Sequence, residues 1–405
     1  MWGVGMRVTV ADLAQRLRAD PKFTNFLPYQ LDCFEHWSSS PTERLCLYYR
    51  TGAGKSITSL CCVPLRGLDE ALVIAPPVTH PDWVALGKMI GVDVTCVSHA
   101  KFRMKDFQVR RTVSLIVDEF HLLGGHGGKG WAKLDRLARG LKAPLIICSA
   151  TPNYNDAERV YCIRHVMEDN LKGGFLDFLA QNCNTRTNPY GMTPLVDENN
   201  PFKLYKSAEE YLASLPYVVY VPDLHDPQVV DIRVQTSVPA EFEEYGLNRR
   251  KGRINASMME ARHQEKYLNL IGDDGLIRPH VYDQLNTLVG NATTPVLLFC
   301  MSSTVADALA DTCYLHHVRF GVVTGKTPAK QKALLVNAFR KGQLDVLIGT
   351  ATLGTGTDGF DKVCDTLILV DDTDDDAFRK QLLGRILPRG EDVDASGKQF
   401  FRLVF

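Results

Sequence analysis

Two stretches of the chain share one rhythm of hydrophobic and polar positions. Between residues 45 and 151, short and nearly continuous apolar runs alternate with helical segments that begin near Lys55, Asp82 and Gly130. The runs are Leu45–Tyr49, Ala71–Ala75, Val92–Val97, Ser114–Asp118 and Leu145–Ser149. Strands this uniformly apolar are buried on both faces, as in a parallel sheet covered by helices on each side. The rhythm returns from residue 295, with strands Val296–Cys300, Phe320–Val323, Val346–Gly349, Thr366–Val370 and Phe400–Val404 and helices beginning near Ser303, Pro328 and Asp374. The pattern predicts an α/β protein built from two tandem doubly wound parallel sheets.

The middle of the chain differs. It holds an Asn- and Pro-rich stretch over 181–201, extended segments Tyr217–Val221 and Val229–Val238, and a charged helical region from Ala240 to Gly272. This predicts three parts: an N-terminal segment and first lobe over 1–165, a helical and irregular connector over 166–290, and a second lobe over 291–405.

Composition narrows the class. A length of 405 residues exceeds one ordinary domain, and 45% hydrophobic with 23% charged residues suits a soluble globular protein with sizeable cores. The net charge of −1 excludes a global attraction to nucleic acid, so any such binding rests on local basic patches. Met1–Arg7 lacks the apolar core of a signal peptide, and no run approaches membrane-spanning length. The 11 cysteines include Cys61-Cys62 but no C-x-x-C pair, and Cys46, Cys148 and Cys300 sit in apolar runs as small buried hydrophobes. A reducing, intracellular setting without disulfides or a membrane follows.

The candidate chemistry begins at Thr51-Gly52-Ala53-Gly54-Lys55-Ser56, where the first strand meets the first helix. Glycines at 52 and 54 let backbone N–H groups approach phosphate oxygens, and the helix N-terminus adds unpaired donors. Lys55 would reach the β- and γ-phosphates and the Ser56 hydroxyl would coordinate Mg²⁺. The G-x-x-x-x-G-K-[ST] pattern departs at its first glycine, which is Tyr49; that residue belongs in the preceding strand, where a large side chain packs clear of phosphate. A second feature is Asp118-Glu119, an acidic pair at the C-terminal end of a parallel strand and so at the crevice where such sheets bind ligands. Asp118 would hold Mg²⁺, and Glu119 would orient and deprotonate the water that attacks the γ-phosphate.

Here the residues resemble a family. Asp118-Glu119-Phe120-His121, with Ser149-Ala150-Thr151 ending the next strand, resembles motifs II and III of the DExH-type superfamily 2 helicases and translocases. Gln30 resembles the upstream glutamine that reads adenine. Ala75-Pro76-Pro77 with Trp83, then Val97-Ser98-His99, resemble motifs Ia and Ib, which contact the nucleic-acid backbone. Leu298-Phe299-Cys300 resembles motif IV. The stretch from Gly349 through Thr350, Gly356 and Asp358 resembles motif V, and Gln381-Leu382-Leu383-Gly384-Arg385 resembles motif VI. The likeness spans about 27–390. The Pro-Pro…Trp form of motif Ia and the stretches 215–223 and 231–245 lean toward the Swi/Snf-like branch, which includes viral relatives. The remodelling segments that follow motif VI in that branch are not expected here.

The resemblance implies two RecA-like lobes that use ATP and Mg²⁺. It places Gly52, Ala53, Gly54, Lys55, Ser56, Asp118 and Glu119 on the first lobe and Arg385 on the second as an arginine finger. Thr51, Gln381, Gly356 and Asp358 join the ATP set, and His121, Ser149 and Thr151 couple nucleotide state to the nucleic-acid face. Motif VI usually carries a second arginine three residues after the first; that position is Pro388, and Arg389 follows it. Pro76, Pro77, Ser98, His99 and Thr350 are the implied backbone contacts.

Other features stay open. Arg249, Arg250 and Lys251 form the clearest basic cluster, either a phosphate contact or a solvated helix face. The run Asp371–Asp376 reads as a loop into the motif VI helix rather than a metal site, and the glycine-rich loop 124–130 as a mobile connector or a nucleic-acid or partner contact. The functional expectation is an ATP-dependent helicase or translocase moving on nucleic acid, DNA before RNA, with protein partners in a replication, transcription or repair complex. The alternatives are a helicase-like ATPase subunit that remodels a transcription, replication or packaging complex without strand separation, and a non-enzymatic helicase-fold interaction module. Retention of Lys55, Asp118, Glu119 and Arg385 together argues against the last.

Overall fold

The strand β1 (Arg44–Tyr49) shows how the first sheet is made: its six residues are buried on both faces, and alternate ones feed different cores. Cys46 and Tyr48 join one cluster, while Leu45, Leu47 and Tyr49 join the other. The same division holds in β2 (Glu70–Ile74), β4 (Ser114–Val117) and β5 (Leu145–Ser149): Leu72, Ile74, Leu115, Val117 and Ile147 face one way, and Ala71, Val73, Ile116, Ile146 and Cys148 the other. The period of two along a strand produces this, and helices on each side complete the two cores.

The computed structural model describes residues 8–20, 23–50, 52–150, 157–168, 173–188, 191–197, 199–222, 227–234, 269–272, 274–353, 359–372, 376–388 and 395–405. It forms two compact units, Met1–Asp223 and Leu224–Phe405.

In the first unit, the sheet adds β3 (Asp93–Val97) and β8 (Val218–Val221) in the order β3-β2-β4-β5-β1-β8. All its pairings are parallel. Parallel neighbours need crossovers, supplied by α3 (Lys55–Leu65), α4 (His80–Ile90), α5 (His99–Arg103) and α6 (Lys129–Ala138). Two helices, α1 (Val10–Leu17) and α2 (Pro28–Ser39), precede the sheet. The edge strand β3 alternates exposed and half-buried positions, as expected where one face meets solvent.

Helix α2 is bolted to α3 just behind the first loop. The fully buried Trp37 donates its indole N–H to the Cys62 carbonyl at 2.8 Å. Arg66 caps the pair, stacked 4.4 Å over the Trp37 ring while donating to the carbonyls of Trp37 and Ser40. Helices α7 (Ala157–Met167), α8 (Phe175–Asn182) and α9 (Ala208–Ala213) pack on the other face, with a short antiparallel pair, β6 (Thr185–Arg186) and β7 (Leu195–Val196), between α8 and α9.

The second unit repeats the architecture. Its strands are β9 (Val229–Arg233), β10 (Val296–Cys300), β11 (Phe320–Val323), β12 (Val346–Gly349), β13 (Thr366–Asp371) and β14 (Gln399–Val404), ordered β11-β12-β10-β13-β14-β9 and again parallel throughout. Helices α10 (Pro279–Asn291), α11 (Ser303–Leu315), α12 (Ala329–Arg340) and α13 (Asp376–Leu383) accompany them. Val296, Leu298, Val346, Ile348 and Ile368 line one core, and Leu297, Phe299, Leu347, Leu367 and Leu369 the other.

The two doubly wound parallel sheets predicted from the hydrophobic rhythm are both present, and the predicted strands within them lie within one residue of those observed. The charged region from Ala240 lies outside the described residues as far as 268. Among the described residues, no helix is long and apolar enough to cross a membrane. None of the 11 cysteines is in a disulfide.

Candidate nucleotide site

Strand β1 delivers its last residue, Tyr49, into the core with no exposure, and its ring packs edge-on against Tyr29 at 5.5 Å. The side chain standing at the first glycine position of the phosphate-loop pattern therefore sits beneath the loop rather than in it. Gly52 (φ 81°) and Gly54 (φ 76°) then take the left-handed conformation that reverses the chain into α3, a region costly for residues with a Cβ. Thr51 lies outside the described residues.

Lys55 opens the helix and donates to the carbonyls of Tyr49 at 3.2 Å and Arg50 at 3.3 Å, folded back over the strand end. Ala53 is buried, and its carbonyl accepts from the Tyr29 hydroxyl at 3.2 Å. Ser56 occupies the first turn of α3, half-buried.

Gln30 is buried against this loop. Its Oε1 accepts from the Leu27 N–H at 2.9 Å, capping α2, and its Nε2 donates to Thr58 Oγ1 at 3.0 Å. Thr58 in turn donates to the Gly54 carbonyl at 3.0 Å. A Cβ added to Gly54 would lie 2.6 Å from Gln30 Nε2. Gly54→Ala is therefore expected to cost about 1–3 kcal/mol from backbone strain alone. Chemical denaturation checks this; a midpoint equal to the wild type would show that the loop can relax.

The acidic pair follows β4. Since β5 lies between β1 and β4, the ends of these three strands form one continuous edge. Asp118 is buried; its N–H donates to the Ile74 carbonyl at 2.9 Å, and its own carbonyl accepts from His99 Nε2 at 2.8 Å. Burial, followed by the charge of Glu119, pushes its carboxyl up to about 7, while Lys55 opposes the rise. Glu119, also buried, has φ 48° and ψ 56°, a left-handed conformation unusual for a residue with a side chain. His121 Nδ1 lies 3.5 Å from Glu119 Oε2 and 3.4 Å from Ser149 Oγ at the end of β5. Thr151 lies outside the described residues.

A dication suits this donor set. Burial and the neighbouring Glu119 charge raise the cost of ionising Asp118, a Mg²⁺ would reverse that cost, and the hydroxyl of Ser56 and carboxylate of Asp118 are hard oxygen ligands of the kind it takes. Among the described residues no group of three or more His, Cys, Asp and Glu side chains is arranged to hold a metal ion by itself.

The implied nucleic-acid residues of this unit fall on neighbouring strand ends. Pro76 is buried after β2 and Pro77 is exposed at the start of a 3₁₀ turn. Ser98 caps α5, its hydroxyl accepting from the Lys101 N–H at 3.1 Å. The His99 ring is buried and turned inward to Asp118, and burial lowers its pKa to about 4, so it is neutral. The glycine-rich loop is packed: Arg159 donates to the Gly124 carbonyl at 2.9 Å, and His126 stacks on Phe175 at 5.3 Å.

In the second unit, Arg385 and Gln381 are buried around the end of α13, and Thr350 is buried after β12, its N–H donating to the Val323 carbonyl at 3.1 Å. Lys332, on α12, is buried beside Arg385 and donates to the Thr352 carbonyl. Burial, then the Arg385 charge, lowers its pKa to about 8. Asp372, in the acidic run, takes Arg379 at 2.9 Å and Arg402 at 3.5 Å. Gly356, Asp358, Arg389, Arg249, Arg250 and Lys251 lie outside the described residues.

Sequence reasoning missed Lys332, Thr58 and the inward turn of His99. Lys332 is one of several basic residues on α12, with no local signal to separate it. Thr58 has helical spacing to Gly54, but its contact with Gln30 depends on how α2 packs.

Comparison with known proteins agrees with this architecture. Residues 280–389 match the family described as helicase conserved C-terminal domain. A segment of 101 residues is 34% identical to the ATP-dependent RNA helicase RhlB of Xanthomonas axonopodis pv. citri, covering 24% of this chain and 17% of that protein. The chain thus spans about a sixth of the length of the curated relatives it matches. Among solved structures, S. cerevisiae Dbp5 bound to RNA and ADP BeF3 is similar at a TM-score of 0.55 and 14% identity, over 96% of this chain and 85% of that one. A point variant of S. cerevisiae Dbp5, bound to a variant of Gle1 and to IP6, gives 0.53 at 14% identity, over 97% and 85%. Residues 280–389 thus resemble a helicase conserved C-terminal domain, and the chain as a whole shares the two-lobed α/β fold of these helicase structures.

Proposed function

We propose that this protein is an ATP-driven nucleic-acid helicase or translocase of the DExH type. The observation that carries the reading is the convergence at one sheet edge of Lys55 after β1, Asp118-Glu119 after β4 and Ser149 ending β5, with His121 between the last two.

On ATP binding, Lys55 leaves the carbonyls of Tyr49 and Arg50 for the phosphates, and the N–H groups of 52–56 surround them. Ser56 and Asp118 would hold Mg²⁺, which would compensate phosphate charge when bound. Glu119 takes the proton of the attacking water on its carboxylate, and His121 carries its position to Ser149. Arg385 is the proposed finger, whose fork would neutralise charge developing on the transferred phosphoryl group; Gln381, Gly356, Asp358 and Arg389 are assigned to the ATP set by the resemblance, and Gln30 to the adenine base. Pro77, Ser98, Thr350 and the 249–251 cluster are the proposed backbone contacts. Phosphate contacts of this kind position the strand without reading its sequence.

The Pro76-Pro77…Trp83 segment favours the Swi/Snf-like branch and DNA as the preferred track. The curated relative and Dbp5 are named with RNA, so both polymers belong in the test. ATPase rates are measured alone and with single-stranded DNA, duplex DNA and RNA, beside Lys55→Ala, followed by strand displacement. Stimulated hydrolysis lost in the variant supports a motor, and displacement separates helicase from translocase. Absence of hydrolysis under every condition overturns the proposal.

A further inference from the structure

His99 is held where the resemblance would place a nucleic-acid contact, yet its ring is buried and faces the acidic pair from behind. Strand β3 is two places from β4, with β2 between them. The ends of all three are nevertheless joined: Ala75 N–H donates to the Val97 carbonyl at 3.0 Å, Asp118 N–H donates to the Ile74 carbonyl at 2.9 Å, and His99 Nε2–H reaches across β2 to the Asp118 carbonyl at 2.8 Å. That carbonyl belongs to the peptide leading into Glu119, whose left-handed backbone survives only where its surroundings hold it. The far end of the same short helix completes the grip. Arg103 of α5 donates to the Leu122 carbonyl, at the end of the turn that Glu119 begins.

We propose that His99 is a positioning residue for Glu119: through the Asp118 carbonyl it makes the placement of the hydrolytic carboxylate follow the position of helix α5. This rests on the function proposed above, in which Glu119 handles the attacking water. The imidazole touches no reacting atom. It acts by fixing the peptide from which the carboxylate hangs, as outer partners orient groups that bind or react directly.

The test uses the full chain with two substitutions. His99→Phe keeps a ring of similar bulk and removes the donor, whereas His99→Gln keeps a donor. His99→Phe is expected to lower kcat by about 10- to 100-fold with KM for ATP unchanged, the range typical of lost outer partners. His99→Gln is expected to recover most of that loss. A second readout needs no hydrolysis: amide exchange at Leu122 and Gly124, whose N–H groups donate to the carbonyls of Glu119 and His121, is expected to quicken in His99→Phe and not in His99→Gln. Wild-type kcat and exchange in His99→Phe, or equal loss in both variants, would overturn the proposal. If the wild type itself hydrolyses no ATP, the functional reading fails, and the exchange experiment alone decides the clamp.

Discussion

Glu119→Gln is expected to reduce ATP hydrolysis by about 10²–10⁴-fold, the span of a lost general base, while ATP still binds. The amide keeps the size of the side chain and the left-handed backbone gains no new clash, so the turn over Phe120–Leu123 should persist. What disappears is the ability to accept a proton from water. Removing this charge also takes away the second-largest cause of the raised Asp118 pKa, leaving Asp118 easier to ionise and metal binding no weaker. Single-turnover hydrolysis beside equilibrium binding of a fluorescent ATP analogue separates the two effects. Equal loss of binding and rate would mean that Glu119 shapes the site rather than handling water.

Arg385→Ala should have an effect as large, about 10³–10⁵-fold on turnover, the range known for arginine fingers. Arg385→Lys should rescue little, because an ammonium lacks the planar fork that meets two phosphate oxygens. The residue is nearly fully buried at the end of α13, and its backbone N–H donates to the Leu382 carbonyl at 3.0 Å. Its side chain is thus enclosed by packing. Lys332 beside it bears on the interpretation: loss of Arg385 removes one cause of its lowered pKa, so the lysine becomes more readily charged. Should Arg385→Ala retain wild-type turnover, the finger must be sought elsewhere, and Arg389 is the first alternative. A double Arg385→Ala, Lys332→Ala variant tests whether the lysine covers part of the loss.

Much of the fold was legible because burial on both faces leaves a plain mark. Val296–Cys300 and Leu145–Ser149 are nearly unbroken apolar runs, and each is a central strand with its predicted bounds. The turn at Gly52–Ser56 and the acidic pair stand out in the sequence because glycine, lysine and paired carboxylates in such order serve few other purposes. Strand neighbourhood was hidden. Nothing in the residues 97–99 says that β3 lies one strand away from β4, yet this distance lets His99 span β2 and reach Asp118. The partners of Gln30 were hidden for the same reason, since they come from the packing of α2 on α3. Pattern reports which face of an element is buried; it does not report what stands opposite.

The splitting of β1 between two cores has a consequence for how this chain tolerates changes of length. Tyr48 and Tyr49 point to opposite sides of the sheet, so deleting one residue from Arg44–Tyr49 would exchange occupants between the two cores and draw the glycine turn at 52–54 back by about 3.3 Å. In the segment between α8 and α9, none of the described residues over 184–197 is buried, and Met192 is almost fully exposed. Insertions and deletions should therefore accumulate around 186–195 and be absent from 44–56, and a reporter peptide or affinity handle belongs in the former.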